Sequence, residues 1–231
     1  MESRRLSIII PCYNESATVR ELLRRVFVAP FPVGWEREII VIDDGSTDGT
    51  RDILGEFEGR CIVVYHERNQ GKGTAVQTGL RRASGSHVLI QDADLEYDPS
   101  DIEVLLTVID TDEGDVVYGS RNLRPRERAG AYVPRFGVWF LTKLINVLHR
   151  QKLTDVWTCY KLFPREAVNL FPLGRFESEL LFTAALARAG YRFVEVPISY
   201  HPRDVGEGKK IRYRDGIHAI IVLVADRLKH C

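Results

Sequence analysis

Cysteine is scarce in this chain: four in 231 residues. Cys12, Cys61, Cys159 and Cys231 lie far apart, with no C-x-x-C pair. That spacing excludes a disulfide scaffold and a Cys-based zinc site, and it favours a reducing, cytoplasmic compartment. Net charge is also lacking, since 32 Lys and Arg balance 32 Asp and Glu. The bulk positive field that gathers proteins onto nucleic acid is therefore missing, and no nucleic-acid partner is expected. Long apolar runs are absent too. The most hydrophobic late stretch, Ile217 to Val224, is interrupted by His218 and closed by Asp226, Arg227 and Lys229, far short of the ~20 apolar residues that span a bilayer. The first residues, Met-Glu-Ser-Arg-Arg, lead directly into a strand-like run with no signal-peptide pattern. Repeats and low-complexity segments are missing as well.

What remains is a globular composition, 45% hydrophobic and 28% charged, rich enough for a substantial core. Short Ile- and Val-rich runs at Leu6 to Ile10, Glu38 to Ile42, Cys61 to Tyr65, His87 to Ile90 and Asp115 to Tyr118 read as buried strands of a parallel sheet. Between them, Ser16 to Val28, Thr47 to Phe57, Gly73 to Ala83 and Pro99 to Ile109 carry apolar residues at helical spacing behind capping Ser, Thr or Asp. The pattern predicts an α/β chain of repeated βα units over 1–120. After it comes an Arg-rich loop at Asn122 to Arg128. Helices follow at Pro134 to His149, Glu177 to Ala189 and Tyr213 to Lys229, with a strand at Phe193 to Val196. One domain over 1–231 is the simplest count.

Ligands of such sheets bind beyond the carboxyl ends of the strands. Four strand ends carry polar clusters: Pro11-Cys-Tyr-Asn-Glu15, Asp43-Asp-Gly-Ser46, Asn69-Gln-Gly-Lys-Gly73 and Gln91-Asp-Ala-Asp94. Each alone would be an unremarkable polar turn. Asp92 and Asp94 stand two apart after a buried run, so their carboxylates can share one side. Two such charges repel unless a cation lies between them. Mg²⁺ or Mn²⁺, which also takes oxygens from a substrate diphosphate, answers that need; the alternative is a solvated acidic turn. Arg121, Arg203, Lys209, Lys210 and Arg212 would form a local anion site, or else a solvated basic loop. Asp155 and Glu177 either orient a lysine or acceptor group or cap helices.

Taken in order and spacing, Ser7-Ile-Ile-Ile-Pro-Cys-Tyr-Asn-Glu15, Val41 to Thr50, Asn69 to Gly73, Gln91-Asp-Ala-Asp-Leu-Glu96 and Gly119-Ser-Arg121 resemble the family-2 glycosyltransferases. The likeness is to their dolichyl- and polyprenyl-phosphate mannose or glucose synthase branch. It implies the GT-A fold, a Rossmann-like, mostly parallel sheet flanked by helices. Residues 1–121 would then be the nucleotide-sugar half and 122–231 the acceptor half. It further implies inverting transfer of a hexose from a GDP-mannose or UDP-glucose type donor to a polyprenyl phosphate. On that resemblance Pro11, Tyr13, Glu15 and Asp43 hold the donor nucleotide, with Lys72, Asp92, Arg203 and Lys209 also on the donor side. Asp92, Asp94 and Glu96 hold the metal, and Arg121, Arg135 and Arg203 meet the acceptor phosphate. Asp92, Asp94, Arg121, Asp155 and Glu177 are the candidate catalytic set.

Thr158-Cys159 stands where the mannose synthases of that branch often have Ser-Gly. Contact with a lipid acceptor would be peripheral, through Phe136, Trp139 and Phe140 or Ile217, Ile220 and Ile221, unless those faces are core. A saccharide hydroxyl as acceptor would instead require a carboxylate base. A nucleotidyltransferase would carry its Gly-rich signature after the first strand, where Pro11 to Glu15 stand. A non-catalytic nucleotide-binding module would be marked by loss of Asp92 or Asp94, and both are present.

Overall fold

The computed structural model describes residues 4–123, 135–172, 177–202 and 213–229; at 135–136 and 213–219 the backbone alone is described. The Ile- and Val-rich runs form β1 (Arg4–Cys12), β2 (Trp35–Asp43), β3 (Ile62–Tyr65), β4 (His87–Ile90) and β5 (Val116–Ser120). The helical stretches form α1 (Val19–Val28), α2 (Thr50–Gly55), α3 (Lys72–Arg82), α4 (Ile102–Asp110), α5 (Arg135–His149), α6 (Glu177–Arg188) and α7 (Tyr213–Lys229). The two late strands are β6 (Lys161–Pro164) and β7 (Phe193–Pro197). The second helix begins later than the predicted Thr47. There the Asp48 carboxylate accepts the amides of Ser16 and Thr50, and Gly49 takes φ +92°, which keeps 47–49 in a loop.

The strands form one seven-stranded sheet in the order β3-β2-β1-β4-β6-β5-β7. Every neighbouring pair is parallel except those made by β6, which runs antiparallel to both β4 and β5. The strand-by-strand pattern missed β6. Its four residues begin with a lysine and end with a proline, so it is defined by its pairing, with His87 to Leu89 on one side and Val117 and Tyr118 on the other. The C-terminal region thus supplies strands to the same sheet as the first 121 residues.

Two apolar layers cover the sheet. One contains Leu6, Ile8, Ile10, Leu22, Leu23, Leu105 and Leu106, packed beneath α1 and α4. The other joins Ile9, Ile40, Ile42, Val76, Leu80, Ile145, Phe163 and Phe182 beneath α3, α5 and α6. Each fully buried aliphatic side chain contributes about 1.5–3 kcal/mol. Gly79 lets α3 approach closely, since a Cβ there would lie 2.5 Å from Ile9 Cγ2. Because β6 runs in reverse, its amino end lies beside the carboxyl ends of β4 and β5. Residues 155–161 are thereby delivered to the rim where the polar clusters gather.

Candidate active site

The rim is stapled together before any ligand enters. Asp44 accepts the backbone amides of Gln70 at 2.9 Å and Gly71 at 2.8 Å, and its Oδ1 lies 2.7 Å from His66 Nδ1. One carboxylate therefore fixes the Asn69–Gly73 loop against the Asp43–Ser46 loop. Gly45 makes the crossing possible: its φ is +78°, and a Cβ would lie 2.5 Å from the Arg68 carbonyl carbon. Asp43, fully enclosed, accepts from Arg51 Nε at 2.6 Å and from the Ser46 amide. The Pro11–Glu15 turn joins the same rim. The Asn14 amide donates to Ser46 Oγ, the Glu15 amide donates to Thr50 Oγ1, and Thr18 Oγ1 reaches Glu15 Oε2 at 3.0 Å. Pro11, Tyr13 and Glu15 are half-buried along this edge.

At the centre, beyond β4, Asp92, Asp94 and Glu96 are half-buried on one short loop. The Glu96 amide donates to Asp94 Oδ1 at 3.1 Å, and Leu95 adopts φ +63° between them. A lysine stands where a cation is needed. Lys72 Nζ lies 2.7 Å from Asp92 Oδ1, 2.8 Å from Glu179 Oε1 and 3.0 Å from Cys159 Sγ. An ammonium has three protons to donate, and these acceptors match them. Lys72, expected on the donor side, meets these three protein partners here.

Glu179 passes the charge inward. Its other oxygen is 3.1 Å from Nζ of fully buried Lys161, which also donates to the Thr158 carbonyl and sits 5.2 Å from the centre of the Tyr118 ring. Asp92, Lys72, Glu179 and Lys161 form an alternating chain of two anions and two cations. Burial pushes the Glu179 carboxyl upward, but the two lysines outweigh it and hold the group below the usual carboxylate range. Burial would likewise lower Lys72; the carboxylates of Asp92 and Glu179 reverse that and hold it well above the usual lysine value. Burial drives the Cys159 thiol upward, so it is a neutral acceptor.

On the other side of the loop, at the end of β5, the Arg121 fork closes on Asp155. Nε and Nη2 reach Oδ2 and Oδ1 at 2.7 and 2.8 Å. Asp155 is fully buried, and its own backbone is fixed from below: Glu195 Oε2 and Oε1 accept the amides of Thr154 and Asp155 at 2.7 and 2.9 Å. Burial raises the Glu195 carboxyl against the pull of those amides. The Arg121 guanidinium lies 5.0 Å from the centre of the Tyr200 ring, and Tyr200 Oη donates to Glu96 Oε2 at 2.8 Å.

Several sequence-predicted residues fall elsewhere. Arg203 and Lys209 lie outside the described residues, as do Lys210 and Arg212, and of Arg135 only the backbone is described. Glu177 opens α6 half-exposed, whereas Glu179 is the residue that reaches Lys72 and Lys161. Two positions along a helix differ by about 200° around its axis, so the two carboxylates face opposite ways. Asp44, Glu179, Lys161, Glu195 and Tyr200 were not singled out by residue chemistry. The doubled Asp43-Asp44 and the Lys161 within a buried apolar run were the available signals.

A mostly parallel sheet with one antiparallel strand inserted beside its central strand, and an acidic loop at the end of that central strand, is the architecture of the GT-A class. The chain belongs to glycosyl transferase family 2, whose model matches residues 7–171. It is 29% identical over 216 residues to dodecaprenyl-phosphate galacturonate synthase of Rhizobium johnstonii, covering 90% of this chain and 62% of that protein. With undecaprenyl-phosphate 4-deoxy-4-formamido-L-arabinose transferase of Edwardsiella ictaluri it shares 28% over 208 residues, 88% of this chain and 62% of the relative. The chain thus spans less than two thirds of these curated relatives. In fold it resembles glucosyl-3-phosphoglycerate synthase from Mycobacterium tuberculosis, crystallised with Mn²⁺, UDP and phosphoglyceric acid (TM-score 0.73, 21% identity, 97% of this chain and 78% of that one). It also resembles S. aureus TarS 1-349 (TM-score 0.61, 22% identity, 85% and 59%).

Proposed function

We propose that this chain transfers a sugar, with inversion, from a nucleotide-sugar donor to a polyprenyl phosphate, aided by a divalent cation. The observation that carries the reading is the pairing of two poles on one rim. A carboxylate loop (Asp92, Asp94, Glu96) asks for a cation, and Arg121, held in place by Asp155 through Nε and Nη2, offers its charge and its remaining edge to an anion. The polyprenyl-phosphate chemistry in the names of both curated relatives supports the same acceptor class.

The chemistry of the donor set suits a hard metal ion, while among the described residues no three such side chains are gathered closely enough to hold one as they stand. The donor set is carboxylate oxygen, half-buried at a strand end, and Asp92 already draws an ammonium to Oδ1. Asp92, Asp94 and Glu96 would hold Mg²⁺ or Mn²⁺. When bound, the ion supplies positive charge to a departing nucleoside diphosphate. The chain's own residues do the rest. Pro11, Tyr13, Glu15 and the Asp43 loop shape the nucleotide edge, and Arg121 orients the acceptor phosphate. That phosphate is already an anion at neutral pH, so no general base is required.

The geometry weighs against a saccharide acceptor. Both oxygens of Asp155 are taken by Arg121 in a fully buried fork, which removes the best-placed candidate base. Trp139 and Phe140 on α5, with Ile221, Val224 and Leu228 on α7, are exposed apolar residues, and no helix among the described residues is long and apolar enough to cross a membrane. We read these faces as the surface that meets the lipid.

The test is transfer to undecaprenyl phosphate from UDP- and GDP-sugars with Mn²⁺. Release of nucleoside diphosphate and a β-linked product are expected, lost in Asp92→Ala and Asp94→Ala. Release of pyrophosphate, or full transfer in chelator, overturns the reading.

A further inference from the structure

We propose that Tyr200 is a positioning residue that ties the metal side of the site to its acceptor side. This rests on the function just proposed. Its hydroxyl donates to Glu96 Oε2 at 2.8 Å, while the face of its ring lies 5.0 Å from the Arg121 guanidinium carbon. One side chain thereby touches a carboxylate of the cation pole through its Oη and the cation of the anion pole through its ring. The rest of the connection is rigid. The Tyr200 ring is 5.4 Å from Tyr97, which stacks on Tyr160 at 5.3 Å, and Tyr160 Oη donates to Gln91 Oε1 at 2.8 Å, just before Asp92. The backbone is pinned as well, since Tyr97 and Tyr200 form an antiparallel bridge and the His201 amide donates to the Glu96 carbonyl at 2.9 Å.

Two effects follow: the first is carried by the hydroxyl, the second mainly by the ring, with the phenol oxygen also within reach of Arg121. The hydroxyl fixes the Glu96 carboxylate in one rotamer, so a cation need not order it on binding. The ring supports the guanidinium by cation–π attraction.

The atoms can be separated by substitution. Tyr200→Phe keeps the ring and loses the hydroxyl. It should weaken Mn²⁺ binding about 10-fold, read from the free-ion EPR signal in titrations with UDP or GDP present, while the KM for polyprenyl phosphate stays within about 2-fold. Tyr200→Leu loses both and should also raise that KM about 5-fold. Melting temperatures serve as the folding control, and if the Leu variant does not fold, the Phe variant decides. Wild-type Mn²⁺ affinity in Tyr200→Phe, alongside lost affinity in Asp92→Ala, overturns the positioning role alone. Unchanged Mn²⁺ affinity in Asp92→Ala overturns the metal site itself, and the Tyr200 role with it.

Discussion

Neutralising Glu179 should be among the most destabilising single changes available in this chain. Its carboxylate lies 2.8 Å from Lys72 and 3.1 Å from Lys161, with side-chain exposures of 12% for Glu179, 17% for Lys72 and 0% for Lys161. Glu179→Gln leaves two enclosed ammonium groups sharing the single charge of Asp92, and it turns an amide NH₂ toward one of them. Removing one member of a buried pair costs about 3–5 kcal/mol, because the remaining charge is left without compensation. With a urea slope near 3 kcal/mol per molar, that is a midpoint shift on the order of 1 M or more at pH 7, measurable by tryptophan fluorescence.

The pH dependence carries a sign. Glu179 is depressed in the folded state, so its contribution is complete above the unfolded value, about 4.3, and fades as pH falls through the lower folded value. The gap between wild type and Glu179→Gln should therefore be widest from about pH 6 to 8, narrow below about pH 4 and close only as pH approaches the folded value of about 2. Lys161→Met combined with Glu179→Gln restores charge balance, so the double variant should be more stable than the sum of the singles by at least about 1 kcal/mol. A loss under about 1 kcal/mol across pH 6–8, or strict additivity in the cycle, refutes the charge-chain reasoning.

Two further outcomes test the rim. Gly45→Ala forces a side chain into φ +78° and against the Arg68 backbone at 2.5 Å; it should lower stability by about 1–3 kcal/mol in thermal or urea melts and loosen donor binding, whereas Gly34→Ala, with nothing within 4 Å but a φ of +90°, should cost only the backbone strain of about 1 kcal/mol. Arg121→Lys keeps the charge and loses the fork on Asp155, and should reduce acceptor-dependent kcat/KM at least ~10-fold with donor binding nearly intact in calorimetry. Equal loss of donor affinity would place Arg121 on the nucleotide instead.

The five apolar runs that became β1 to β5 were legible because a buried parallel strand is a local pattern: several consecutive Ile and Val residues between turn signals. The acidic pair Asp92 and Asp94 was legible for the same reason, as their spacing and their place after β4 are contained in a few residues. What the chain order could not show is which distant group each polar side chain meets. Lys72 and Cys159 are 87 positions apart, and Glu96 and Tyr200 are 104 apart. Those partners meet only because β6 inserts in reverse between β4 and β5, bringing 155–161 to the rim, and because β7 pairs with β5 and ends at Pro197, three residues before Tyr200 bridges to Tyr97. Tertiary structure likewise decided between Glu177 and Glu179. Helical rotation turns one carboxylate outward and the other toward two buried lysines, and a buried ammonium without an anion is too costly to keep.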